Sequence, residues 1–205
     1  MEQPDLFGTT AHPQGLVYVR DFIDENEERR LIEEIARLPL AEARYKQYTA
    51  KRRIVSFGSK YDFSDNLLRT TEPVPVFLFP LREKVAQWLD IPAERFAHAL
   101  VTEYRPGTAL GWHRDVPDFE VVAGISLAAA CRMRFRPYPP KSGRTREGFE
   151  LLLEPRSAYV MQGEARWHWQ HAIPPTKALR YSVTFRTMAA RHAGKRARER
   201  PARDA

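Results

Sequence analysis

The chain has 205 residues, 43% of them hydrophobic, and a formal charge of +7. That length suffices for one domain with a full core. No run of eighteen apolar residues occurs, which excludes a membrane-spanning helix, and the start, Met1-Glu2-Gln3-Pro4-Asp5, lacks the basic and apolar regions of a secretory signal. Cys131 is the only cysteine, so no internal disulfide forms and the expected setting is a reducing cytoplasm.

Residues 1–15 read as a loose arm rich in Pro, Gly and Thr. Leu16-Val17-Tyr18-Val19 reads as a short strand. Asp24 with Glu27 three residues on predicts a capping box, and Leu31, Ile32, Ile35 and Leu38 follow at helical spacing. That helix should stop before Pro39. Arg44–Tyr48 and Ile54–Phe57 read as strands, followed by a turn at Gly58. Residues 64–75 are polar, contain Pro73 and Pro75, and read as a loop. Val76 to Leu89 is a second amphipathic helix, with Phe77, Leu81, Val85 and Trp88 on one face and Pro80 near its start, where proline is tolerated.

After Pro92 the chain turns to strands: His98–Tyr104, Val121–Ala128, Cys131–Pro137, Phe149–Leu153, Ala158–Gln162 and Leu179–Met188, separated by Pro, Gly and charged residues. Two early helices and a late run of strands predict an α+β fold, with helices supporting a double-sheet β core. The expected layout is a single domain over 16–188, followed by a basic tail over 189–205.

The charge is unevenly spread. Residues 42–60 carry six basic and one acidic side chain, 132–146 six basic and none acidic, and 189–205 six basic and two acidic, so the remainder of the chain is acidic. Such clustering suits a polyanion partner, because Lys and Arg gain affinity by releasing phosphate counterions.

The chemistry centres on Trp112-His113-Arg114-Asp115. On an extended strand, residues i and i+2 share a face, so His113 and Asp115 would hold one ion together. Alone, a His-X-Asp tripeptide is commonly a structural hydrogen-bonded pair. A third ligand is available in Trp167-His168-Trp169-Gln170-His171. His168 and His171 lie an odd number of residues apart, so one strand cannot aim both inward, and the residues alone leave two candidates. Two His and one carboxylate with open positions form the facial triad of non-haem Fe(II) oxygenases. Downstream, Arg180 and Arg186 are an even number apart and face one side of a strand. Two arginines directed into a β core need anionic partners. A dicarboxylate reaching from metal to arginine would supply one, with Tyr104 adding a hydrogen bond.

Several segments in one order resemble the AlkB family of Fe(II)/2-oxoglutarate-dependent dioxygenases. They are Tyr104-Arg105-Pro106-Gly107, Trp112-His113-Arg114-Asp115, Gly124-Ile125-Ser126-Leu127, His171-Ala172-Ile173-Pro174-Pro175, and Arg180 through Thr184-Phe185-Arg186. The resemblance is most specific over 98–187 and implies a double-stranded β-helix, or jelly roll. It implies His113, Asp115 and His171 as ligands of Fe(II), selecting His171 over His168. It places Arg180 and Tyr104 on the distal carboxylate of 2-oxoglutarate and Arg186 near the end that chelates iron. Thr102 and Ser182 stand where family members often have Asn, and each can still make a hydrogen bond to the cosubstrate. With O2 consumed, the implied reaction is oxidative demethylation, with release of formaldehyde, succinate and CO2.

The implied partner is alkylated DNA or RNA, single-stranded or with the base flipped out, handled by a monomer. Residues 42–63 fall where the family carries a nucleotide-recognition lid. There Lys51, Arg52 and Arg53 would meet phosphates, and Phe57 and Tyr61 would stack on a base. Trp112, Trp167 and Trp169 are candidate pocket walls. Nucleic-acid-repair members often carry an acidic residue two positions after the ligand Asp. Pro117 holds that position, which with the altered lid supports one alternative, the same iron chemistry on a protein or small molecule; a different class, a catalytically inactive nucleic-acid-binding jelly roll, is opposed by the intact His113, Asp115, His171, Arg180 and Arg186.

Overall fold

The computed structural model describes residues 12–45, 48–62, 67–140 and 148–189, excepting the side chains of 43–50, 59–62, 67 and 68. In chain order the elements are β1 (Leu16–Val19), α1 (Glu25–Ile35), β2 (Ala41–Tyr45), β3 (Tyr48–Phe57), β4 (Ser59–Asp62), β5 (Leu67–Thr70), α2 (Phe79–Leu89), β6 (His98–Tyr104), β7 (Leu110–His113), β8 (Phe119–Leu127), β9 (Cys131–Pro137), β10 (Phe149–Leu153), β11 (Ala158–Met161), α3 (Gly163–Trp167), β12 (Trp169–Ile173) and β13 (Arg180–Met188). A seven-stranded major sheet runs β1-β11-β8-β13-β6-β3-β2, and a four-stranded minor sheet runs β10-β9-β12-β7. β4 and β5 pair separately. Among the described residues, no helix is long and apolar enough to cross a membrane.

The helices form where local chemistry favours them. The Asp24 side chain accepts from the backbone N–H of Asn26 and Glu27, and Glu27 accepts in return from the Asp24 N–H at 2.8 Å, satisfying donors that a helix start leaves orphaned. α2 follows a 3-10 turn over 76–78, carries Pro80 in its first turn, and ends as Asp90 turns left-handed at φ 51°. Both helices pack on the outer face of the major sheet. There Ile35, Val85, Val101, Ile125, Val183 and Phe185 are fully buried in one hydrocarbon cluster.

The opposite face of the major sheet looks across to the minor sheet. Met133, Phe135, Leu153, Tyr159 and Met161 form a second cluster between the two. With both faces covered, central strands lose the alternation of a half-exposed sheet, and β8 is buried almost throughout. Gly124 of β8 is required by packing. A Cβ there would lie 2.4 Å from the Tyr159 ring.

The double-sheet α+β architecture is the one expected. Three local readings change. β3 is a single ten-residue strand that starts at Tyr48, because it pairs with β2 on one side and β6 on the other. Residues 67–70, expected in a loop, form β5 opposite β4. Two short strands, β7 and β12, are not among those read in chain order, and they carry His113 and His171.

Candidate active site

Between the sheets lies a cavity of about 1010 Å³. Its floor is built by strand alternation. Arg180, Ser182, Thr184 and Arg186 of β13, and His98, Leu100, Thr102 and Tyr104 of β6, line it, while their odd-numbered neighbours face the helices. The minor sheet contributes the histidines. β12 pairs with β7 so that His171 stands opposite His113, with ring centroids 4.2 Å apart.

Asp115 completes the cluster from an unexpected position. β7 ends at His113, so the carboxylate does not share a strand with it but sits on the loop that follows. Its Oδ2 lies 3.8 Å from His171 Nε2, and one donor atom from each of His113, Asp115 and His171 lies within 4.8 Å of the others. His168 caps the end of α3 and takes no part in this group.

The protonation states suit a cation. His113 Nδ1 is 2.9 Å from the Gly111 carbonyl oxygen. A carbonyl only accepts, so Nδ1 carries the proton and Nε2 keeps a free lone pair. Burial first, then the charge relations with His113, pushes the His171 pKa down to about 3, so it is neutral. Burial alone would raise the Asp115 carboxyl, but Arg186, then His171 and His113, outweighs it and holds the group well below the usual carboxylate range. Arg186 is the physical partner: its Nε and Nη2 lie 2.9 and 2.7 Å from Asp115 Oδ1. Its Nη1 lies 3.3 Å from His98 Nδ1, on a ring that burial keeps neutral. Two neutral imidazoles and one ionised carboxylate are the donor set of a divalent-iron facial triad.

The deep end has the complementary chemistry. Arg180 is 1% exposed. Its Nε donates to Ser126 Oγ at 3.1 Å, its guanidinium lies 5.0 Å from the Tyr104 ring centroid, and its Nη1 is buried without a hydrogen-bond partner. An orphaned cationic donor at the end of a cavity fits an organic carboxylate, which it can bind with a charge-assisted hydrogen bond. Thr102, Ser182 and Ser126 stand side by side on β6, β13 and β8, forming a row of hydroxyls beside that end.

Two residues in this machinery carried no assigned role in the sequence. Ser126 belongs to the Gly-Ile-Ser-Leu segment but became meaningful only when Arg180 proved to bond it. Arg166 had no local signal at all. It is 2% exposed, and its Nη2 reaches the carbonyl oxygens of Asp115, Val116 and Phe119 at 3.2, 2.7 and 2.9 Å. It thereby fixes the loop that presents the Asp115 carboxylate.

Strand parity overturns part of the expected nucleotide contact. Arg52 faces the cavity. Arg53, its neighbour, must face the other way, where it pairs with Glu103 at 3.0 Å and donates to the Leu40 carbonyl at 2.8 Å. Phe57 shares the parity of Arg53 and is buried in the helix-side core, so it cannot stack on a base. Lys51 is exposed and does not line the cavity. The Tyr61 side chain lies outside the described residues. Of the tryptophans, Trp112 lines the opening and is 39% exposed. Trp167 lies beneath Arg166 instead, and Trp169 packs against the inter-sheet core. At the opening, Arg114 donates to the Trp167 carbonyl at 2.8 Å and lies 3.8 Å from the Tyr138 ring centroid, and Arg136 lies 4.4 Å from that of Trp112.

The family model of the 2OG-Fe(II) oxygenase superfamily matches residues 15–186. Among the curated relatives, the "Alkylated DNA repair protein ALKBH8 homolog" of Arabidopsis thaliana is 28% identical over 193 residues, covering 84% of this chain and 54% of the relative. The chain therefore spans about half of that protein's length. The "Probable RNA/DNA demethylase ALKBH6" of Danio rerio is 25% identical over 169 residues, covering 78% of this chain and 70% of the relative. The solved structure of OsALKBH1 superposes with a TM-score of 0.61 at 13% identity, covering 87% of this chain and 99% of that one, a likeness of fold.

Proposed function

The chain belongs to the 2OG-Fe(II) oxygenase superfamily and is AlkB-like, an enzyme that uses Fe(II), 2-oxoglutarate and O2, and on that premise we propose that it removes methyl groups from alkylated bases of DNA or RNA. The observation that carries this reading is the mouth of the cavity. Trp112, Arg52 and Arg114 line the same cavity as His113, Asp115 and His171, with Trp112 and Arg114 exposed. An aromatic face for a base and guanidinium groups for phosphate are what a flipped or single-stranded nucleotide needs. The names of the Arabidopsis and zebrafish relatives point the same way.

In this reading His113, Asp115 and His171 hold the iron. Arg180, with Tyr104, Thr102, Ser126 and Ser182 around it, takes the distal carboxylate of 2-oxoglutarate. Arg186 occupies Asp115 Oδ1 and so leaves Oδ2 to the metal. When bound, iron, 2-oxoglutarate and O2 supply the oxidation of a substrate C–H bond to C–OH, coupled to decarboxylation of the cosubstrate to succinate and CO2. The chain's own task is to hold the base so that its methyl group is the bond within reach, and to keep water from the buried ligands. A hydroxymethyl group on nitrogen then leaves as formaldehyde. Residues 16–188 act as one catalytic domain, with Arg52 of β3 lining the cavity beside the nucleotide.

The test is mass spectrometry of methylated oligonucleotides incubated with the protein, Fe(II) and 2-oxoglutarate, with His113→Ala as control. Loss of the methyl group with formaldehyde release is expected from the natural chain alone. Succinate formation without methyl loss from any nucleobase would overturn the reading.

A further inference from the structure

We propose that the outer face of the minor sheet is a track for the single strand that flanks the target base, with Arg132, Arg134 and Arg136 meeting successive phosphates of DNA or RNA. The inference rests on the nucleic-acid reading above and adds the path by which the polymer reaches the cavity.

Alternation divides the side chains of this sheet. Met133, Phe135, Leu151 and Leu153 turn inward to the second cluster. Arg132, Arg134 and Arg136 of β9, Glu150 and Leu152 of β10 and Gln170 of β12 therefore turn outward. The side chains of Arg132 and Arg134 are 65% and 51% exposed. Among the described outward-facing side chains of β9, β10 and β12, Glu150 is the single carboxylate. It accepts from Arg134 Nε at 2.7 Å and from Arg132 Nη1 at 3.3 Å. One carboxylate does not neutralise three guanidinium groups, so the row keeps a surplus of positive charge.

The same contacts hold the row in place. Arg136 Nε donates to Gln170 Oε1 at 2.8 Å, as Arg132 and Arg134 donate to Glu150. An arginine already fixed loses less side-chain freedom when a phosphate arrives. Alternate residues of a strand stand about 6.7 Å apart, close to the step between phosphates of an extended single strand.

Continuity with the cavity decides which polyanion fits. The Arg136 guanidinium lies 4.4 Å from the Trp112 ring centroid, and Trp112 lines the cavity that holds His113 and His171. Arg114, two residues on, lies 3.8 Å from the Tyr138 ring centroid. Both rings are exposed. Guanidinium groups for phosphates beside aromatic faces for bases suit a nucleic-acid strand. An acidic polypeptide would use the charges and leave the rings idle.

The experiment follows fluorescence anisotropy without oxygen, with Fe(II) and 2-oxoglutarate present. It compares a trinucleotide with a single strand of about a dozen nucleotides, each with and without a methylated base, over a range of salt. Arg132→Gln/Arg134→Gln should weaken binding of the long strand about tenfold or more at about 0.1 M salt. It should also reduce the slope of log affinity against log salt by about 1.4, the loss of two single-strand phosphate contacts. Glu150→Gln should tighten binding by about threefold, a gain that a misfolded protein does not imitate. Poly-glutamate should displace the long strand at least about tenfold less well than the unlabelled strand. In air, the advantage of the long methylated strand over the trinucleotide in kcat/KM should shrink in the double variant.

No binding of the long strand, an unchanged salt slope in the folded double variant, a Glu150→Gln protein that binds no tighter, or equal displacement by poly-glutamate overturns the track. Methyl loss that persists in any of these cases leaves the nucleobase reading standing. Strand binding with all the expected responses but no methyl loss keeps the track and overturns demethylation instead.

Discussion

Along β13, neighbouring side chains sit in two different surroundings. Tyr181, Val183 and Phe185 face the helices in hydrocarbon, whereas Arg180, Ser182, Thr184 and Arg186 face the cavity. Both rows are buried: Phe185 is 0% exposed and Arg180 1%. What differs is the consequence of burial. Removing Phe185 from water stabilises the fold directly. Removing Arg180 from water costs free energy unless an anion meets it. The outer row therefore governs stability and the inner row governs ligand affinity, although one strand supplies both.

Substitutions can break the two rows apart. The largest effect belongs to the metal cluster that the inner row faces. His171→Ala should abolish iron-dependent turnover and binding of Mn(II) followed by electron paramagnetic resonance, whereas His168→Ala should retain both. Next, Phe185→Ala on the outer row should cost about 3–5 kcal/mol of stability in denaturant unfolding, through lost burial and a cavity. The affinity of the protein that remains folded should be unchanged.

Arg180→Met should do the reverse. It should raise the KM for 2-oxoglutarate by about a hundredfold, as expected for loss of one partner of a buried charge pair, while the melting temperature of the ligand-free protein holds or rises. Arg186→Gln is the mildest. It removes the clamp on Asp115 Oδ1 and should weaken Mn(II) binding by about 10–100-fold, the usual effect of losing a partner behind a metal ligand. An Arg180→Met protein with an unchanged KM would dissolve the distinction between the rows.

The parts of this arrangement that could be read in the sequence are those set by local period. The Asp24–Glu27 capping box, the shared face of Arg180 and Arg186, and the strands β6, β9 and β10 follow from spacing alone. The parts that could not depend on partners distant in sequence. β5 exists because β4 is there to pair with it, against the discouragement of Pro73 and Pro75. β7 and β12 are short and rich in Trp, Gly and His, so neither shows alternation. The Lys51-Arg52-Arg53 run invited one role for all three residues, but β3 continues through them, and a strand must send Arg52 and Arg53 to opposite faces. Arg166 was illegible because its meaning lies in three carbonyls 47 to 51 residues away.

That guanidinium has a consequence for the life of the protein before iron arrives. Because Arg166 ties down the backbone of residues 115, 116 and 119 from within the polypeptide, the seat for the metal is shaped by folding and does not wait for its occupant. Chelation should therefore leave amide hydrogen exchange across 114–119 nearly as slow as in the loaded enzyme, and exchange that accelerates to the rate of an open loop would count against this. A catalyst of this kind can lie idle when iron is scarce and resume when supply returns, without having to refold.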